Sequence, residues 1–201
     1  KRIHCIPTFT ASKTTIGKQQ IGSYGLYFGR VTEEKGVETV IKAYEKLPEY
    51  TVKIMGDDTT DEAKRLKKYV ENHKMKNVEF LGFKSGAELE NVIKGARFTL
   101  IPSIWYDNLP NTALESFQYS KPVIASNIGS LPELVIDGEN GYLFKPSNVE
   151  DLIKKIKMLD DDTLVKKMGQ ASRKRLESRF APQTHYEDLM KIFNEAVKSR
   201  K

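Results

Sequence analysis

From residue 24 onward the apolar positions fall into two alternating patterns. Solid runs at 24–29, 50–56, 77–82, 98–101 and 122–125 have the length and composition of strands buried on both faces. Helical spacing separates them. Val37, Val40, Ile41 and Tyr44 repeat along 36–47, and Ala63, Leu66, Val70 and His73 line one face of a charged stretch at 61–74. Leu89, Val92 and Ile93 mark a short helix at 87–94, and 111–119 is another. Glu139-Asn140-Gly141 is a turn signal ahead of Tyr142-Leu143-Phe144, and helices follow at 149–159, 162–178 and 183–198. Strands alternating with helices predict an α/β fold, a doubly wound parallel sheet. The helical tail beyond 149 has no strand to alternate with, so it is expected to pack on the sheet. Residues 1–22 read as an irregular entry segment, 23–180 as the α/β domain, and 181–201 as a C-terminal helix directed toward a further domain. No internal repeat or low-complexity segment is present.

Composition narrows the class. With 39% hydrophobic and 30% charged residues the 201-residue chain can bury a core, and its mean hydropathy of −0.51 suits water. No run approaches the roughly 20 apolar residues of a membrane span. The start, Lys1-Arg2-Ile3-His4-Cys5-Ile6-Pro7, has neither a signal-peptide core nor a Met, which predicts a piece of a longer chain. A single cysteine, Cys5, excludes an intramolecular disulfide and fits a reducing, cytoplasmic compartment. His4, His73 and His185 are far apart and give no metal-ligand spacing with it, so no metal site is expected. The acids of Asp57-Asp58 and of Asp160-Asp161-Asp162 are adjacent rather than alternating, so there is no Asp-x-Asp.

The net charge of +6 is concentrated late: residues 151–201 hold 13 Lys or Arg against 8 Asp or Glu. Solvated helix faces account for this. The sharper reading is attraction to anionic lipid headgroups, a peripheral contact with the inner membrane face, or to a phosphorylated substrate. Nucleic acid is not indicated, because no binding signature appears and the basic residues are not interleaved with aromatics.

Three segments carry candidate chemistry. Gly29-Arg30-Val31-Thr32-Glu33-Glu34-Lys35-Gly36 sets two cations beside a helix start, a site for phosphate or diphosphate; alternatively they are exposed loop charges. Pro102 to Glu115 runs from strand through loop to helix and holds Asp107 and Glu115 with seven residues between them. Pro110 suits the first helical position, leaving the amides of Asn111 and Thr112 as unpaired donors for an anion. Glu115 can accept bonds from vicinal hydroxyls such as those of a ribose, and Asp107 from a sugar; both can equally be ordinary surface acids. Gly82-Phe83-Lys84-Ser85 closes the third strand, where a glycine admits a flat ring or simply turns the chain. Trp105 either lies over a ligand or packs. The glycines at 22, 25 and 29 do not follow G-x-G-x-x-G, and neither a G-x-x-x-x-G-K-[ST] loop nor a G-x-S-x-G elbow occurs.

Taken in order, these segments resemble the C-terminal, donor-binding domain of GT-B-fold retaining glycosyltransferases of family 4. The resemblance covers about residues 24–180: Gly29-Arg30 with Lys35-Gly36, Ile54-Met55-Gly56, Val78 to Phe83, Pro102-Ser103 before the acidic pair, and Gly129 to Gly138 with Gly141. One departure is Asp107, where the family pattern carries Glu. The resemblance implies a Rossmann-like half of a GT-B fold, with an acceptor-binding N-terminal half joined through the stretch Ile3 to Phe9. It implies that Arg30 and Lys35 hold the diphosphate of a sugar nucleotide, with Gly29 and the helix-start groups Asn108, Leu109, Asn111 and Thr112 beside it. It assigns the ribose to Glu115, the donor sugar to Asp107, and the base to Gly82, Phe83 and Lys84. The implied donor is a UDP- or GDP-sugar ahead of an ADP-sugar. The implied acceptor is a glycan or glycolipid of polysaccharide or lipopolysaccharide synthesis, and no cofactor is required. A non-catalytic α/β nucleotide-binding or regulatory module and an epimerase of GT-B shape are the competing readings, and a two-carboxylate glycosidase has to be excluded.

Overall fold

The computed structural model describes residues 4, 6–10 and 19–198; Cys5, Ile3 and most of the entry segment lie outside the described residues. The sheet has six strands, all parallel: β1 Tyr24–Phe28, β2 Thr51–Met55, β3 Val78–Gly82, β4 Ala96–Ile101, β5 Val123–Ser126 and β6 Gly141–Phe144, in the order β3-β2-β1-β4-β5-β6. That is the Rossmann order, with the reversal of winding between β1 and β4. The helices are α1 Val37–Glu45, α2 Asp61–Asn72, α3 Gly86–Gly95, α4 Asn111–Gln118, α5 Leu131–Leu134, α6 Val149–Met158, α7 Asp162–Arg179 and α8 Pro182–Lys198.

The apolar runs become strands because both faces are covered. On one face Tyr27, Val52, Ile54 and Leu100 meet Val37, Val40, Ile41 and Tyr44 of α1 and Leu152 and Ile156 of α6. On the other, Leu26, Phe28 and Met55 meet Ile93 of α3 and Tyr119. A third cluster joins Ala113, Leu114 and Phe117 of α4 to β5 and to Leu176 and Phe180. Ala63, Leu66 and Val70 form the buried face of α2, as their spacing predicts, but His73 does not extend it. The helix has ended by then, and His73 lies exposed and stacked on Tyr69. The turn at 139–141 leads into a sixth strand, so α6 follows a strand after all and packs beside α1. Only α7 and α8 extend beyond the alternation, and α8 has no buried residue. No helix among the described residues is long and apolar enough to cross a membrane.

The amino-terminal edge of the sheet is fastened by a buried cation. Lys121 is 1% exposed, and its ammonium donates to the carbonyls of Lys94, Ala96 and Gln20 at 2.6, 2.7 and 2.7 Å. Burial pushes its pKa down to about 8, and three acceptors match the three N–H groups of the charged form. The segment before β1, the end of α3 and the start of β4 thus share one side chain. Lys121→Met should leave three carbonyls short of a donor and lower stability by at least about 2 kcal/mol. Urea unfolding followed by circular dichroism measures this, and an unchanged midpoint would mean that water replaces the ammonium at no cost.

Candidate active site

Two adjoining cavities open at the carboxyl ends of the strands, on the side where the winding reverses. The larger, about 510 Å³, is lined by Gly29, Arg30, Gly56, Asp57, Phe83, Lys84, Thr112 and Glu115, with Phe28, Met55 and Leu89 as its apolar wall. The smaller, about 160 Å³, is lined by Gly29, Arg30, Lys35, Ser103, Asp107, Asn111 and Thr112, among others. Gly29, Arg30 and Thr112 face both.

The loops on the two sides of the reversal are locked together. A 3-10 turn at Glu33–Lys35 ends at Gly36, whose φ of +67° is left-handed and whose Cβ, if present, would lie 2.1 Å from the Pro102 carbonyl oxygen. Only glycine fits both the angle and the approach. The Ile104 N–H donates to the Glu34 carbonyl at 3.0 Å. Lys35 Nζ then reaches Asp107 Oδ1 at 2.6 Å, while Ser103 Oγ donates to Asp107 Oδ2 at 2.6 Å. The Asp107 backbone is held from a third side, its carbonyl accepting from Ser130 Oγ at 2.8 Å. Gly129, at φ +58°, allows that approach because a Cβ there would crowd the Tyr106 Cα at 3.2 Å.

Arg30 differs from Lys35. Its side chain is largely in solvent, and the nearest carboxylate, on Glu34, is 3.9 Å away. Its backbone is fixed by the hydroxyl of buried Tyr27, which donates to the Arg30 carbonyl. Burial, reinforced by Asp107 and Glu34, raises the Tyr27 pKa and keeps that hydroxyl protonated.

Pro110 does not occupy the first helical position. It stands one residue earlier, extended at φ −68° and ψ 117°, and its carbonyl accepts from the Ala113 N–H. Its fixed φ suits this residue, and no side chain caps the end. The amides of Asn111 and Thr112 still belong to the unpaired first turn that faces the cavities. Helix α4 is tied to β4 through buried hydroxyls, Thr99 Oγ1 donating to Ser116 Oγ at 2.8 Å and Ser116 Oγ to the Thr112 carbonyl at 2.6 Å. Glu115, one turn along, turns into the larger cavity. Burial raises its pKa, and its carboxylate has no ion-pair partner among the described residues.

The structure therefore brings Gly29, Arg30, Lys35, Phe83, Lys84, Asp107, Asn111, Thr112 and Glu115 to one cleft. Gly82 stands behind it, its carbonyl accepting from the Gly56 N–H. Asn108 is exposed outside either lining, and Leu109 packs with α4 and β5. Tyr27 and Asp57 carried no separable signal. Ser103 was visible only as the residue after Pro102, four positions before an acid it proves to bind. Among the described residues no three His, Cys, Asp or Glu are grouped to hold a metal.

The sequence model for glycosyl transferases group 1 matches residues 12–175. The chain belongs to that family. This group 1 chain is 30% identical over 174 residues to the uncharacterized glycosyltransferase MJ1178 of Methanocaldococcus jannaschii, covering 86% of this chain and 48% of that protein. It is 31% identical over 186 residues to the glycogen synthase of Mycobacterium tuberculosis, covering 88% and 42%. It spans about half the length or less of these curated relatives. The fold is that of Anabaena HepE, solved in complex with UDP, at a TM-score of 0.78 and 23% identity, covering 87% of this chain and 49% of that one.

Lys35 and Asp107 are each about one-fifth exposed, so the pair is only partly screened. A Lys35→Met, Asp107→Asn double-mutant cycle in urea should give a coupling of about 1–2 kcal/mol, and additivity within about 0.3 kcal/mol would show two independent residues.

Proposed function

We propose that this chain is the donor half of a retaining, family 4 glycosyltransferase that takes a nucleotide-diphosphate sugar. The observation that carries the reading is the convergence of Arg30, the helix start at Asn111 and Thr112, and Glu115 on one cleft at the reversal of the sheet. Arg30 and the amides of α4 meet the diphosphate, whose charge grows as the bond from the sugar carbon to the phosphate oxygen breaks. Fixed donors stabilise that charge without reorganising, which also removes the need for a metal ion. Lys35 joins them by exchanging part of its contact with Asp107. Asp107, oriented by Ser103, faces the donor sugar. Glu115 accepts the ribose hydroxyls, and the wall of Phe83 and Lys84 receives the base. HepE, of the same fold, was solved with UDP and with UDP-glucose, which supports a uridine donor.

A whole enzyme of this kind needs an acceptor half, and we assign acceptor positioning to a preceding domain reached through residues 1–22. Helix α8, which exposes Tyr186, Phe193 and Val197, packs toward it in this reading. In this reading the acceptor is a glycan or glycolipid, and the enzyme is placed in the cytoplasm with a peripheral contact at the inner membrane face. Transfer by this chain alone should be negligible, because the reacting hydroxyl is not held in place.

Calorimetric titration with UDP, GDP and ADP, each in EDTA and in excess Mg²⁺, tests the assignment. At least one nucleotide should bind, with affinities in the two buffers agreeing within a few-fold. No binding at millimolar nucleotide removes the donor-half reading, and a tenfold loss in EDTA, about 1.4 kcal/mol, reveals a metal site.

The raised pKa of Glu115 gives a second test. The ionised carboxylate offers both oxygens as acceptors and bonds hydroxyls more strongly than the protonated acid, so affinity should climb with pH above the ordinary glutamate range. Glu115→Gln should bind more weakly and flatten that climb; an identical pH profile in the variant takes Glu115 out of ribose binding.

A further inference from the structure

Ile104, Trp105 and Tyr106 are 38, 65 and 73% exposed, three consecutive apolar or aromatic residues with their surface in water. Exposed aromatics on a loose loop would be unremarkable, but this segment is fixed at both ends. The Ile104 N–H is bonded to the Glu34 carbonyl, and the Asp107 carbonyl accepts from the N–H and hydroxyl of Ser130. Ser103 and Asp107, which flank the triplet, line the smaller cavity. The two rings are therefore carried on the rim of the cleft by a backbone that is already ordered. Among the described residues Trp105 is not packed into the core, one of the two roles open to it from sequence.

We propose that Trp105 and Tyr106 form a saccharide-stacking platform that takes a pyranose ring of the acceptor beside the donor cavity. This rests on the glycosyl-transfer reading given above. The negative face of an aromatic ring attracts the polarised C–H bonds on the apolar face of a sugar. A pre-ordered loop lowers the conformational cost of such contacts. The surroundings favour a saccharide over a membrane. Residues 102–111 contain no Lys or Arg to meet anionic lipid, and they present exposed Asn108 and Asn111, side chains that bond hydroxyls. The place also fits, since the attacking hydroxyl must come to the sugar carbon at the mouth of the cleft.

Trp105 is the only tryptophan, so intrinsic emission reports on the platform directly. The chain, with UDP present, is titrated with maltotetraose, mannotetraose, chitotetraose and galactotetraose, and separately with phosphatidylglycerol–phosphatidylethanolamine vesicles. At least one tetrasaccharide should change the emission saturably in the millimolar range, and Tyr106→Ala should weaken that response about tenfold, near 1.4 kcal/mol. Calorimetry should show Trp105→Phe binding the same tetrasaccharide and Trp105→Ala losing it, with unfolding midpoints unchanged in all three variants. Silence from all four sugars, a blue shift with vesicles alone, or a full response in Tyr106→Ala would overturn the platform. Nucleotide binding in the same samples separates the two failures: if UDP, GDP and ADP bind and no sugar does, the platform falls and the donor site stands.

Discussion

The site depends on β1 and β4 being neighbours. These strands pair in parallel although β2 and β3 intervene in sequence. Their following loops consequently emerge side by side and must leave in opposite senses, one toward α1 and the other toward α4. The close contact of Gly36 with Pro102, the Ile104 to Glu34 bond and the Lys35 to Asp107 ion pair all form across that one seam. A cleft opens there because neither crossover helix can cover the strand ends. Both central strands are largely buried on both faces, so a ligand meets them at their ends.

The electrostatics of the cleft are unevenly distributed. Lys35 is matched by a carboxylate at hydrogen-bond distance, whereas Arg30 keeps most of its surface in water. The first turn of α4 adds a partial positive charge that no capping side chain answers. Glu115 sits half-buried with no ion-pair partner among the described residues, and desolvation raises its pKa. A ligand with a charged centre and a hydroxylated flank suits that arrangement. At the opposite edge of the sheet, Lys121 shows the other use of a buried cation: all its donors are spent on backbone carbonyls, so it serves the frame.

Much of the fold was legible because the signals are local. Two-faced burial makes a strand a solid apolar run, as in Phe98 to Ile101, and an amphipathic helix shows its period, as in Val37, Val40, Ile41 and Tyr44. The short strand at Tyr142 was harder to read, since four residues before a charged helix do not declare a period. Pro110 was displaced by one residue because its fixed φ fits both a helix start and the extended residue before it. His73 continued the numerical spacing of α2, but the helix had already stopped, and stacking on Tyr69 holds it outside.

By itself the sequence determined the α/β class, most of the alternation of strands and helices and the glycosyl transferase group 1 family, and it offered a list of candidate residues for a diphosphate and a sugar. These follow from periodicity, turn chemistry and segments read in order along the chain. Only the tertiary structure decided which of those residues share a surface. It paired Lys35 with Asp107 across 72 positions, recruited Ser103 and Tyr27 as supports, left Asn108 outside, and left Trp105 and Tyr106 exposed. Such choices depend on the pairing of β1 with β4 and on distances between loops remote in sequence. No local pattern encodes a contact whose two sides are written so far apart.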